Sequence, residues 1–141
     1  MLQTRTLGRQ ITASFEGCGG EAFADTARLT AVLRQVVKLL GFEEVAHISH
    51  SFAPQGSTSV LILAQSHIIA HTWPEYRALV IDLFACGEIH FFPAAEFVKA
   101  AVNAREYMIE ERVRKVGTGD SAQEGIPEMT PHFKDNGFII A

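Results

Sequence analysis

Apolar residues recur along this chain with two different periods. From Asp25 onward, Leu29, Val32, Leu33, Val36, Val37 and Leu40 follow an i, i+3, i+4, i+7 rhythm, with Arg28, Arg34 and Lys38 falling between them. That is the stripe of an amphipathic helix. Asp25 or Thr26 supplies its cap and Gly41 its stop. A shorter helix is predicted from Pro93, a residue suited to a first helical position; it places Ala94, Phe97, Val98 and Ala101 on one side and ends near Asn103.

Strand-like runs surround these helices at 7–15, 44–52, 58–64, 68–73, 78–85 and 107–116. Several of the connections are too short for parallel crossovers, so a largely antiparallel sheet is expected. Val60 to Ala64 and Leu79 to Ile81 are apolar at successive positions, and a strand sends successive side chains to opposite faces. Both faces of the central sheet must then be covered. Two helices can cover one. With no third helix evident, a second copy of the chain is expected on the other; the alternative is that the C-terminal tail covers it.

The expected fold class is therefore α+β, an α/β sandwich with two helices on one face of a largely antiparallel sheet. A homodimer through the other face would have four layers, αββα. Residues 1–116 read as one domain. The tail, 117–141, carries Gly117, Gly119, Gly125, Pro127, Pro131 and Gly137 and reads as loop, apart from an apolar end, Phe138-Ile139-Ile140, suited to docking.

At 141 residues the chain is long enough to bury a real core. Its 48% hydrophobic and 20% charged residues, with a formal charge of −4, give no electrostatic case for nucleic acid. No run approaches the ~20 apolar residues that span a bilayer, so no membrane partner is expected and a cytoplasmic location is. Cys18 and Cys86 are expected to be free thiols.

Candidate chemistry concentrates in the run Gln65-Ser66-His67-Ile68-Ile69-Ala70-His71-Thr72-Trp73-Pro74-Glu75, with Cys86-Gly87 beyond it. Together with Phe52-x-Pro54-x-Gly56 and Asp82-Leu83-Phe84-x-Cys86-Gly87, this run is similar in order and spacing to the prokaryotic S-adenosylmethionine decarboxylases, over roughly 7–116. Members of that family are proenzymes that cut themselves before a serine and convert it into a covalently bound pyruvoyl group. The resemblance implies that Ser66 Oγ attacks the carbonyl of Gln65, leaving chains 1–65 and 66–141, the second capped by the pyruvoyl group that forms a Schiff base with substrate. It implies His71 as the proton acceptor in processing, a task suited to an imidazole, and Cys86 as the proton donor in decarboxylation. Thr58 would support processing, and Phe52, Trp73 and Glu75 would bind substrate.

Decarboxylation at an α-carbon needs an electron sink, which no encoded side chain offers. Pyridoxal phosphate would require a lysine and a phosphate cradle; the only lysines are Lys38, Lys99, Lys115 and Lys134, and no glycine-rich loop precedes a helix. A metal site built from His47, His50, His67 and His71 lacks carboxylates at ligand spacing. Neither pyridoxal phosphate nor a metal is therefore expected. Ser66 and His71 are five residues apart, on opposite faces of a straight strand, so a bulge or bend between them is expected; His67 is the alternative neighbour of the serine.

Phe52 and Trp73 suit an adenine ring and a sulfonium, and Glu75 suits ribose hydroxyls. Gln65, Thr58 and Arg77 stand where the family usually has glutamate, serine and glycine. Arg77 is a candidate specificity residue, able to repel a sulfonium or bind a substrate carboxylate. The leading expectation is decarboxylation of S-adenosylmethionine to the aminopropyl donor of spermidine synthesis. The alternatives are the same pyruvoyl chemistry on ornithine or arginine, and an uncleaved regulatory or structural partner.

Overall fold

The computed structural model describes residues 3–117 and the backbone of 138–140. In chain order the elements are β1 (Thr4–Glu16), α1 (Glu21–Ala24), α2 (Thr26–Leu39), β2 (Glu44–Ser51), β3 (Ser57–Leu63), β4 (Ser66–Trp73), a 3-10 turn (Pro74–Tyr76), β5 (Ala78–Ala85), α3 (Phe92–Ala101), β6 (Glu106–Gly117) and β7 (Phe138–Ile140). The strands form one sheet in the order β2-β3-β4-β5-β1-β6-β7. Every neighbouring pair is antiparallel. The expected α+β class and the six expected strands are all present, with a seventh added at the edge.

Local chemistry sets the helix ends. The Asp25 carboxylate accepts a hydrogen bond from the Arg28 backbone N–H at 2.8 Å, capping α2 where the first orphan donors lie. Gly41 ends that helix at φ 76°, and Asn103, at φ 51°, follows α3. The α2 stripe is buried as its period requires: Leu29, Leu33 and Val36 have no exposed surface. These three pack with Ile11, Phe15, Leu61, Ile68, Leu79 and Ile81 into a single core between helices and sheet. Fully burying a side chain of this size contributes about 1.5–3 kcal/mol each. The one-turn α1 has no counterpart in the sequence reading, because four residues are too few to show a period.

Among the described residues, nothing packs over the opposite face of the sheet as the helices do over the first. Along β3 and β5 every second residue is buried, on the side of the helices. The apolar residues between them are not: Ile62 is 48% exposed, and Ile48 on β2 is 72% exposed. The backbone of β7 pairs with β6 and so extends the sheet in its own plane. The rest of the expected loop, 118–137, lies outside the described residues.

A seam of hydroxyls attaches the edge of the sheet to α2. Thr30 Oγ1 lies 3.1 Å from Ser59 Oγ and 3.2 Å from Ser49 Oγ, and Thr26 Oγ1 lies 2.8 Å from Ser51 Oγ. Among the described residues no buried side-chain nitrogen or oxygen lacks a partner, so this polar seam carries no desolvation deficit.

Candidate active site

Strand β4 carries two clusters of candidate residues, one at each end. At its start, Leu63 pairs with Ser66, so Ala64 and Gln65 alone form the turn of the β3–β4 hairpin. The Gln65–Ser66 peptide bond thus sits at the rim of the sheet, where the turn meets the strand. The Ala64 N–H donates to Glu43 O at 3.1 Å and ties the turn to the entry of β2. Because β4 and β5 are antiparallel with His67 opposite Phe84, the chain leaving β5 arrives beside the same rim. Cys86 is there, and its thiol donates to Gln65 O at 3.5 Å. Cys86 is exposed and free; Cys18 is free but buried. Beside them, the His67 ring stacks on Phe84 with centroids 6.1 Å apart.

The second cluster forms at the other end of β4. Thr58 faces His71 across the β3–β4 pair, and Thr58 Oγ1 lies 2.8 Å from His71 Nδ1. The Trp73 ring follows two residues on, with its centroid 5.8 Å from that of His71. Phe52 reaches the same place from the end of β2. Its N–H donates to Gly56 O at 2.8 Å, and Gly56, at φ 97°, lies so close to the β4 terminus that an added Cβ would be 3.2 Å from Thr72 O. That φ and that approach favour glycine. Glu75 sits in the 3-10 turn that follows Trp73.

The expected bulge between Ser66 and His71 is not there. Pairing of β4 with β3 runs from Ser66 to Thr72 without a register shift, and pairing with β5 is equally regular. Five residues of regular strand span about 16 Å and invert the face. Ser66 shares alternation with the buried Ile68 and Ala70, whereas His71 lies with Ile69 on the uncovered face. Within one chain, therefore, Ser66, Gln65 and Cys86 come together at one end of β4, and Thr58, His71 and Trp73 at the other with Phe52 beside them and Glu75 in the turn that follows, but the two sets do not meet.

Arg77 does not point toward either cluster. Its Nε donates to Cys18 O at 3.0 Å and its Nη2 to Gly17 O at 3.1 Å. The guanidinium holds the loop after β1, and nothing in the chain's local sequence signals a bond to residues about sixty positions earlier. The histidines are equally dispersed: His47 Nδ1 lies 3.1 Å from Arg34 Nη2 on the side of α2, and His67 and His71 occupy opposite ends of β4. Among the described residues no three His, Cys, Asp or Glu side chains are grouped to hold a metal ion.

Fold and site together define an open-faced α+β sandwich with a serine and a cysteine converging on one hairpin rim. The family profile described as S-adenosylmethionine decarboxylase matches residues 9–115. An S-adenosylmethionine decarboxylase proenzyme of Thermotoga petrophila is 34% identical over 129 residues, 91% of this chain and 96% of that protein. The crystal structure of the adenosylmethionine decarboxylase from Aquifex aeolicus superposes with a TM-score of 0.66 at 26% identity, covering 86% of this chain and 98% of the other. A Trypanosoma brucei AdoMetDC monomer shares the fold, with a TM-score of 0.56 at 9% identity over 79% of this chain and 52% of that one. The chain belongs to the S-adenosylmethionine decarboxylase family. An alignment of 129 residues necessarily extends beyond the 7–116 span that carries the motifs, and so reaches into the sequence of the tail.

Proposed function

We propose that this protein is a self-processing decarboxylase of S-adenosylmethionine, that its chain breaks between Gln65 and Ser66, and that two copies are needed to complete each site. The observation that carries the reading is the Cys86 thiol placed 3.5 Å from the carbonyl oxygen of Gln65. If Ser66 Oγ attacks that carbonyl carbon, this oxygen is the atom that gains negative charge, and a donor already aimed at it lowers the barrier. Transfer of the acyl group to Oγ followed by β-elimination releases a first chain ending in the Gln65 carboxylate. Loss of ammonia on hydrolysis then leaves the second chain with a keto terminus.

His71 is the base that removes the Ser66 α-hydrogen. In this role Nδ1–H donates to Thr58 Oγ1, and Nε2 carries the lone pair. With Ser66 and His71 of one chain about 16 Å apart along a regular strand, the histidine that serves a given serine belongs to the partner. A two-fold axis between the uncovered faces, perpendicular to β4, sets the Ser66 end of one copy against the Thr58–His71 end of the other, and the reverse. The exposed Ile48 and Ile62 favour such packing.

The residues at the rim suit a pyruvoyl group: Ser66 is its source, and Cys86 lies beside it. Once formed, that group supplies the carbonyl electron sink that encoded side chains lack. Cys86 Sγ holds the proton delivered to the substrate carbon. Phe52 and Trp73 of the partner give the adenine and sulfonium their π-faces, and Glu75 accepts from the ribose hydroxyls. With the Arg77 guanidinium bound to Gly17 O and Cys18 O, no observation favours an amino-acid carboxylate at that position.

Release of labelled carbon dioxide from S-adenosylmethionine, ornithine and arginine, assayed in parallel, tests the reading. Turnover of S-adenosylmethionine with none of the two amino acids is expected. Preferential turnover of ornithine or arginine, or of none of the three, would refute it.

A further inference from the structure

His50 is an exposed histidine with no role in the chemistry above, and its orientation is fixed by its neighbours. Ser49 and Ser51 belong to the hydroxyl seam with Thr30 and Thr26 on the side of α2. Strand alternation then sends His50 to the uncovered face. There it pairs across the sheet with Thr58, which in turn pairs with His71 on the next strand. The three therefore form one row across β2, β3 and β4. The His50 ring also meets Phe52 in a T-shaped contact, with centroids 4.7 Å apart and an interplanar angle of 77°. Two pairs of rings, His50 with Phe52 and His71 with Trp73, thus flank the Thr58 hydroxyl.

The backbone of Phe52 is tied by the bond to Gly56, while the residue as a whole is 51% exposed. A side chain of that exposure has rotamer freedom to lose when it binds a flat ligand. The contact with His50 removes part of that freedom in advance.

We propose that His50 is a positioning and specificity residue of the substrate site: its ring braces Phe52 as a preformed wall for the purine of the substrate. The inference rests on the decarboxylase reading given above. It assigns His50 no part in self-cleavage or in proton transfer, so its effect falls on substrate binding alone.

The test compares the full-length protein with His50→Ala and His50→Phe, following conversion to two fragments and then the kinetics of carbon dioxide release from S-adenosylmethionine. Conversion by His50→Ala is expected to match the parent and to report an intact fold. Its KM should rise about three- to ten-fold, the range for loss of one aromatic pair, with kcat within about twofold. His50→Phe, which keeps a ring against Phe52, should restore KM to within about twofold of the parent. An unchanged KM in His50→Ala would overturn the proposal. So would a fall in kcat or in conversion, or a His50→Phe variant as impaired as His50→Ala. If the unsubstituted protein releases no carbon dioxide from S-adenosylmethionine, the decarboxylase reading fails first and this inference with it; normal turnover with an unmoved KM sinks this inference alone.

Discussion

Cys86 and Cys18 are the same side chain in opposite situations. Cys86 is exposed at the hairpin rim with its thiol on the Gln65 carbonyl. Removing one donor from a developing oxyanion commonly costs 10²–10³ in rate, and S–H is a weaker donor than N–H. Cys86→Ala is therefore expected to slow conversion of the full-length chain by about 10- to 100-fold, read as band intensity against time on a denaturing gel, with Cys86→Ser less affected. Equal rates in all three proteins would remove Cys86 from the processing step. Burial pushes the Cys18 thiol up from 9.0 to about 11. Burial, and the Glu96 carboxylate that accepts from its hydroxyl at 2.5 Å, push Tyr107 up from 10.0 to about 12. Both are acids that the fold keeps neutral. Above pH 9 the unfolded chain releases the Cys18 proton while the folded protein retains it, so the unfolded state binds fewer protons and stability falls as pH rises toward 11. The limiting slope is about 1.4 kcal/mol per pH unit for each such group. Thermal melting followed from about pH 8.5 to 11 should show this decline, and Cys18→Ala should flatten it. Identical slopes for the two proteins would contradict the assignment.

At the level of elements, period and punctuation in the sequence were enough to place both long helices and six strands to within two or three residues. Those signals are local: a 3.6-residue stripe, an aspartate cap, a glycine stop. The signals that failed were non-local. The resemblance implies that His71 serves Ser66, which their spacing allows within one chain only through a bulge or bend, but β4 is regular, and regularity carries five residues about 16 Å away. The destination of the Arg77 guanidinium depends on β1 and the turn after β4 being brought together by the sheet. By contrast, Cys86 beside Gln65 follows from the β4–β5 hairpin register, and Thr58 beside His71 from the β3–β4 register; both could be read once the strands were paired. Gly56 is the element-level residue with the sharpest expected effect. Alanine there meets both a φ of 97° and the Thr72 carbonyl at 3.2 Å. Gly56→Ala should lower stability by about 1–2 kcal/mol in urea unfolding and raise KM, because the turn that carries Phe52 must move. A variant with parental stability and KM would show that the turn relaxes freely.

Among the described residues the sheet has one covered face and one bare one, and the candidate site is divided between the two ends of a single strand. Both facts point to assembly, and both are tested by mixing two defective chains. Ser66→Ala retains its His71, and His71→Ala retains its Ser66. Neither alone is expected to cleave, whereas co-expression should cleave the His71→Ala chain at about half the sites, since each mixed dimer rebuilds one complete set. Absence of cleavage in the mixture, despite dimers seen by sedimentation, would place the histidine's action within its own chain or elsewhere. The most direct measurement is the intact mass of the purified protein under denaturing conditions. Two polypeptides are expected, one ending at Gln65 with a free carboxylate and one starting at residue 66 with an amine-free terminus. A single uninterrupted chain that persists on prolonged incubation would contradict the account.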